Sequence, residues 1–90
     1  MVRYKIRILK QAEKDKAKIL QYPALKSNVD NLLSIMRVNP FQNPPPYESL
    51  VGDLKGLYSR RINRQHRLVY KVFEEDKIIV IVSMWTHYDL

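Results

Sequence analysis

Hydrophobic and polar residues alternate at the start of the chain and then change to a helical spacing. Over residues 2–8, apolar side chains take every second position and basic ones lie between them. This pattern predicts a strand with one basic, solvated face. Residues 10–21 suit a helix with a modest apolar face. That face consists of Ala12, Ala17, Ile19 and Leu20.

A second helix is predicted to begin at Pro23, because proline fits the first turn of a helix. An apolar stripe at helical spacing follows and is expected to pack on a sheet. It consists of Leu25, Val29, Leu32, Leu33 and Met36. Asn39 and Pro40 should end this helix, since proline disfavours helical geometry in the residue before it. The proline-rich residues 39–46 then predict an extended loop.

Strand patterns dominate the second half of the chain. Residues 47–54 predict a short irregular strand or loop. Clearer strands are expected at about 57–63, 66–73 and 77–86, with turns near 64–65 and 74–76. The last of these strands is apolar on both parities over 78–82, so we expect it to be central and covered on both faces. The order β-α-α-β-β-β-β predicts one α+β domain over residues 1–90, with two helices against an antiparallel sheet.

Charge narrows the range of partners. The formal net charge is +7, from 16 Lys and Arg against 9 Asp and Glu, which favours a polyanionic or acidic partner. No carboxylate lies between Asp53 and Glu74, yet that interval holds six basic residues. They are Lys55, Arg60, Arg61, Arg64, Arg67 and Lys71.

Other classes of site and location receive little support from the composition. The absence of cysteine excludes disulfides, thiolate metal sites and thiol nucleophiles, and two histidines give no metal-binding pattern. No apolar run is long enough to span a bilayer, and no signal-peptide core is present. We therefore expect a cytoplasmic protein without a metal, a cofactor or a membrane partner.

Several residues together suit chemistry on a phosphodiester. Arg61 and Arg67 lie on successive predicted strands, so they are expected to be cross-strand or diagonal neighbours that bind phosphate through their planar guanidinium groups. His87 has an ordinary pKa near 6.5, which suits proton transfer near neutrality. Glu48 follows the proline-rich loop and is a candidate general base. A basic face that serves solubility, a histidine without a chemical role and a surface glutamate account for the same residues.

The spacing of these blocks resembles the Txe/YoeB family of bacterial toxin–antitoxin modules, within the RelE superfamily. The resemblance covers residues 40–89 and rests on three motifs: Leu54 through Ile62, His66 through Tyr70, and His87-Tyr88. Tyr58 stands where this family often has tryptophan, and Val51-Gly52 stand where it often has a basic or polar pair.

The resemblance implies a RelE-like fold and a ribosome-dependent endoribonuclease that cuts messenger RNA without a metal. It assigns the general base to Glu48, phosphate stabilisation to Arg67 with support from Arg61, and the general acid to His87. Tyr88 corresponds to a terminal tyrosine that helps to shape the site. We expect further RNA contacts from Lys55, Arg60, Arg64 and Trp85.

The resemblance also implies partners. These are the ribosome with its messenger RNA, and an acidic antitoxin of the YefM/Phd type whose C-terminal segment folds over the toxin. Operator DNA would be bound only through the toxin–antitoxin complex. Two other functions fit a basic domain of this fold: a ParE-like gyrase inhibitor, and a non-catalytic module that binds nucleic acid or antitoxin in operon repression.

Overall fold

A five-stranded sheet carries two helices on one face in the computed structural model, which describes residues 3–85. Strand β1 (Lys5–Ile8) precedes helices α1 (Lys10–Ile19) and α2 (Pro23–Val38). Four strands follow: β2 (Tyr47–Ser49), β3 (Tyr58–Arg61), β4 (Arg67–Phe73) and β5 (Ile78–Ser83). A 3₁₀ turn (Gly52–Leu54) lies between β2 and β3. The predicted order of elements and the α+β class are confirmed.

The sheet is mixed, whereas the sequence predicted an antiparallel one. Its strand order is β1-β5-β4-β3-β2, and β1 pairs with β5 in parallel. The other three pairs are antiparallel. Local patterning indicates which residues form a strand, but the direction of pairing depends on where the two intervening helices return the chain. The alternation of β1 is confirmed, since Ile6 and Ile8 pack against the core while Lys5 and Arg7 are exposed.

The core lies between the sheet and the helices. The predicted stripe on α2 is buried in full. It meets Leu68 and Tyr70 of β4 and Ile79 and Ile81 of β5, so these side chains define the covered face of the sheet. Within residues 3–85, neither helix is long and apolar enough to cross a membrane.

Helix α1 buries a different face from the predicted one. Ala12 and Ile19 are buried as expected, but Ala17 and Leu20 are exposed and the helix ends at Ile19. The third buried residue is Asp15, which is only 2% exposed. Its carboxylate accepts hydrogen bonds from the Gln11 side chain and the Met84 backbone, each 3.1 Å long. These bonds compensate for its burial.

Strand β5 is only partly covered. It lies inside the sheet between β1 and β4, and Ile79 and Ile81 are buried. Ile78, Val80 and Val82 have the opposite parity and are half-buried. The prediction that both faces of this strand are covered was therefore wrong for the face turned away from the helices.

Candidate active-site cleft

Strand register brings three of the predicted site residues to the face of the sheet that lies opposite the helices, here called the open face. Arg67 pairs directly with Arg61 across β3 and β4, which confirms the predicted cross-strand contact. Glu48 on β2 pairs with Ser59, which shares the parity of Arg61 on β3. Because side chains two residues apart lie on one side of a strand, all four belong to the open face.

Glu48 and Arg67 form a loose, accessible ion pair. Arg67 Nη1 lies 3.9 Å from Glu48 Oε2, and the two side chains are 26% and 65% exposed respectively. A pair this open to water contributes little to stability. Both groups therefore remain available to a ligand, the carboxylate as a base and the guanidinium as a donor to an anion.

Two arginines stand side by side on the open face. Like charges directly opposite one another in a sheet are unfavourable, so the Arg61–Arg67 pair favours binding of an anion between or above the two groups. The carboxylate of Glu48 is close to only one of them. The electrostatic potential here is therefore positive, and one carboxylate that can act as a base lies beside the arginines.

A cleft surrounds these side chains. One part of about 210 Å³ is lined by Glu48, Ser59 and Arg67 on the sheet and by Leu50, Val51 and Leu54 beyond β2. An adjoining part of about 190 Å³ shares the three sheet residues and adds Arg61. Val51 is 81% exposed at this rim, where the resembling family often carries a basic or polar residue.

Ser59 was missed by the sequence analysis. It is 1% exposed, lines both parts of the cleft, and its hydroxyl has no hydrogen-bond partner among residues 3–85. Its position two residues before Arg61 on one strand was the available signal, because that spacing places both on one face.

Arg60 does not fit the RNA-binding role expected of it. It is 1% exposed and points to the covered face, opposite in parity to Arg61. Its guanidinium donates to the carbonyls of Pro45 (2.6 Å), Pro40 (2.9 Å) and Gln42 (2.9 Å). Arg60 therefore fixes the loop that leads into β2 and Glu48, and is not available to phosphate.

Aromatic rings complete this support. The guanidinium carbon of Arg60 lies 5.1 Å from the Tyr47 ring centroid and 6.0 Å from that of Tyr70. The Tyr70 hydroxyl donates to the Pro40 carbonyl at 2.9 Å. Burial raises the pKa of Tyr70 above its ordinary value, and the nearby Arg60 charge only partly opposes this. Tyr58, at the position of the family's tryptophan, packs edge-on against Phe41 at 5.2 Å.

The remaining predicted RNA contacts lie outside the cleft. Lys55 is exposed after the 3₁₀ turn, and Arg64 is exposed in the turn between β3 and β4. Trp85 stacks on His66 with ring centroids 4.1 Å apart. His66 is buried at that same turn, so it is more firmly held than the sequence indicated. His87 and Tyr88 lie outside the described residues.

Metal ligands do not assemble in the described part of the chain. Over residues 3–85, no three His, Asp or Glu side chains come together as a ligand set. The polar groups of the open face at the cleft are the Glu48 carboxylate, the Ser59 hydroxyl and the guanidinium groups of Arg61 and Arg67.

Comparison with known proteins agrees with this architecture. The family described as YoeB-like toxin of bacterial type II toxin-antitoxin system matches residues 11–88. Toxin YoeB of Streptomyces coelicolor is 40% identical over 60 residues, which are 67% of this chain and 69% of that protein. The YoeB-YefM complex from Staphylococcus aureus contains a chain of 38% identity and TM-score 0.79, matched over 96% of this chain and 99% of that one. The YoeB/ParE toxin from Agrobacterium tumefaciens matches with a TM-score of 0.86 at 25% identity, over 93% and 99% of the two chains.

The fold and these similarities therefore define a toxin of the RelE/YoeB-like class. More specifically, the chain belongs to the family of YoeB-like toxins of bacterial type II toxin–antitoxin systems, as the motif resemblance predicted.

Proposed function

We propose that this toxin is an endoribonuclease that cleaves messenger RNA on the ribosome. The observation that carries the proposal is the placement of Glu48 3.9 Å from Arg67, with Arg61 directly opposite Arg67. A base beside two phosphate-binding groups is what cleavage by a neighbouring 2′-hydroxyl requires. A protein that only binds a polyanion has no need of an exposed carboxylate among its arginines.

In the proposed reaction Glu48 removes the proton from the 2′-hydroxyl, and the 2′-oxygen attacks the adjacent phosphorus. Arg67 and Arg61 stabilise the additional negative charge of the five-coordinate phosphorus. The bond from phosphorus to the 5′-oxygen then breaks, and His87 supplies the proton that this oxygen needs. The products are a 2′,3′-cyclic phosphate and a free 5′-hydroxyl. Tyr88 is assigned to shaping the site.

Dependence on the ribosome is supported by the shape of the cleft. Its two parts measure about 210 and 190 Å³, and the Glu48 side chain at their border is 65% exposed. A cleft this shallow contacts only a short stretch of an RNA strand and leaves the rest of the strand free to move. A surface that presents the message in a fixed conformation, such as the decoding site, would supply the missing orientation.

An acidic antitoxin is the proposed protein partner. The net charge of +7 favours a flexible acidic segment, which gains attraction and a faster association rate. The similar chain from Staphylococcus aureus is in a complex named YoeB-YefM. We extend that partnership to this chain, with operator DNA contacted through the antitoxin and with the cytoplasm as the place of action.

The proposal is tested by adding purified toxin to a translating extract and mapping the message by primer extension. We expect discrete cuts at the ribosomal A site, which Glu48→Ala and Arg67→Ala abolish. Lys26→Ala is the matched surface control, because the Lys26 ammonium forms an exposed ion pair with Asp30 on α2. An intact message would contradict the proposal, and a DNA supercoiling assay would then test the gyrase alternative.

A further inference from the structure

The hydroxyl of Ser59 is buried at the floor of the cleft. Ser59 is 1% exposed, and its Oγ has no hydrogen-bond partner among residues 3–85. It lines both parts of the cleft, so this hydroxyl borders the space in which the proposed reaction takes place. A buried hydroxyl without a partner is unfavourable. Within the part of the chain that the structure describes, the hydroxyl therefore adds nothing to the fold.

Ser59 lies among the charged groups of the cleft. It is directly opposite Glu48 across the β2–β3 pair and two residues before Arg61 on β3. Its partner on β4 is Val69, which places it diagonally from Arg67. Side chains directly opposite one another in a sheet have Cβ atoms about 4.5–5.5 Å apart, closer than diagonal ones. Glu48 is therefore the nearer of its two charged neighbours on adjacent strands.

The carboxylate of Glu48 has no close donor for the proposed reaction. Arg67 Nη1 lies 3.9 Å from Glu48 Oε2, which is an ion-pair distance and too long for a hydrogen bond. In the proposed reaction Arg67 binds the phosphate, so the carboxylate loses even this contact. A general base must hold one oxygen towards the proton that it removes. A hydrogen bond to the second carboxylate oxygen would fix that orientation.

We propose that Ser59 is a positioning residue, whose hydroxyl donates a hydrogen bond to Glu48 while Arg67 holds the phosphate. A hydroxyl has one proton to donate, and a carboxylate only accepts. The Glu48 side chain is 65% exposed and has room to rotate towards the hydroxyl, which is fixed inside the sheet. Ser59 keeps its own proton and, being buried, does not contact RNA. The inference rests on the proposed function, since it needs Glu48 as the general base.

The first measurement is the stability of Ser59→Ala. This variant removes a buried hydroxyl that has no partner in residues 3–85, so its midpoint of urea denaturation should equal or exceed that of wild type. Ser34→Ala, the same change at an exposed position of α2, is the control and should leave the midpoint unchanged. A lower midpoint for Ser59→Ala, or failure to fold, would assign the hydroxyl to the fold and overturn the positioning role.

The second measurement is single-turnover cleavage on programmed ribosomes. We expect Ser59→Ala to lower the maximal rate by about 10- to 100-fold, because misplacement of a reacting group has effects of this size. The toxin concentration that gives half the maximal rate should stay within about twofold of wild type, since the hydroxyl acts in the reaction and not in binding. Ser59→Thr keeps the hydroxyl and should recover much of the loss. Equal rates for Ser59→Ala and wild type would overturn the positioning role.

A double-mutant comparison shows which neighbour the hydroxyl serves. In a Glu48→Asp background the carboxylate is one methylene shorter, so adding Ser59→Ala should slow cleavage by less than about threefold. In an Arg67→Lys background, the full effect of Ser59→Ala should remain. The reverse result, with the effect lost beside Arg67→Lys and kept beside Glu48→Asp, would assign the hydroxyl to the phosphate site and overturn its assignment to Glu48.

Failure of the proposed function would look different from failure of this inference. An intact message with wild-type toxin, or full cleavage by Glu48→Ala, would overturn the proposed function. Cuts that require Glu48 but proceed equally well with Ser59→Ala would overturn the positioning role alone.

Discussion

Adjacent arginines on β3 have opposite environments. Arg60 is buried on the covered face of the sheet, where its guanidinium donates hydrogen bonds to three loop carbonyls. Arg61 is exposed on the open face, opposite Arg67. Strand geometry alone produces this division, because successive side chains point to opposite faces. One residue therefore supports the fold, and the next is the one that we propose binds phosphate.

We expect Arg60→Ala to lower the free energy of unfolding by about 3 kcal/mol, because several carbonyl groups lose a charged donor. Arg61→Ala should change it by no more than about 0.5 kcal/mol, as for other exposed positions. Urea denaturation of both variants measures the difference. Equal stabilities would show that the loop bonds of Arg60 contribute little.

The variants Arg60→Ala and Arg61→Ala should also separate effects on stability from effects on activity. Arg61→Ala is expected to reduce cleavage by about 100-fold through lost stabilisation of the phosphorus charge. Single-turnover cleavage on programmed ribosomes measures the loss in a folded protein. Wild-type cleavage by Arg61→Ala would remove this residue from the proposed site.

Tyr70 should make stability sensitive to alkaline pH. Its pKa is raised in the folded protein by burial, above the ordinary value of 10.0 that applies when the chain is unfolded. The unfolded chain therefore loses the phenol proton at a lower pH than the folded protein does. The contribution of Tyr70 to the free energy of unfolding is fully present below pH 10.0 and declines as the pH rises from there through the folded pKa. Urea denaturation between pH 8 and 11 should show a steeper decline for wild type than for Tyr70→Phe. Identical declines would contradict this.

Helix α1 is tied to the end of β5 by one buried carboxylate. Asp15→Ala leaves the Met84 N–H without its acceptor and should cost about 1–3 kcal/mol. Hydrogen exchange at the Met84 amide should become faster in this variant. Exchange as slow as in wild type would show that Asp15 does not anchor β5.

Elements with a strong periodic pattern were predictable from the sequence. The stripe on α2 from Leu25 to Met36 has one spacing and one buried face, so pattern alone located the helix and its packing side. The alternation in β1 was equally informative. Asp15 was not predictable, because its burial depends on a backbone N–H that lies 69 positions away in the sequence.

Pairing between distant elements also escaped the sequence analysis. The parallel pairing of β1 with β5 joins opposite ends of the chain, and no local pattern encodes its direction. In the sequence, Arg60 was likewise indistinguishable from the other basic residues, although its partners in the structure are carbonyls of the proline-rich loop. Charge counts cannot distinguish a buried cation with backbone acceptors from a solvated one.

At the scale of the whole molecule, the cleft combines residues from three strands. The sequence predicted that Arg61 and Arg67 meet, because tight turns join successive strands, and the register confirms it. Glu48 was a candidate base from its position after the proline-rich loop, and the resemblance assigned it the same role. The structure places it beside Arg67. Ser59 was overlooked although its spacing from Arg61 places both on one face, because a serine in a strand carries no chemical signal by itself.

Net charge should govern association with the antitoxin. With a charge of +7 on the toxin, we expect the association rate to fall by at least about tenfold between low and high salt. The dissociation rate should change much less. Stopped-flow mixing with the cognate antitoxin at several ionic strengths measures both. An association rate that is independent of salt would contradict electrostatic steering.

The central claim is that the open-face cleft cuts messenger RNA on the ribosome. Its most direct test is primer extension on a translated message after addition of wild type, Arg67→Ala or His87→Ala, each shown to be folded. The account predicts A-site cuts with a 5′-hydroxyl on the downstream fragment for wild type, and none for either variant. Cuts that persist in both variants, or an intact message with wild-type protein, would contradict it.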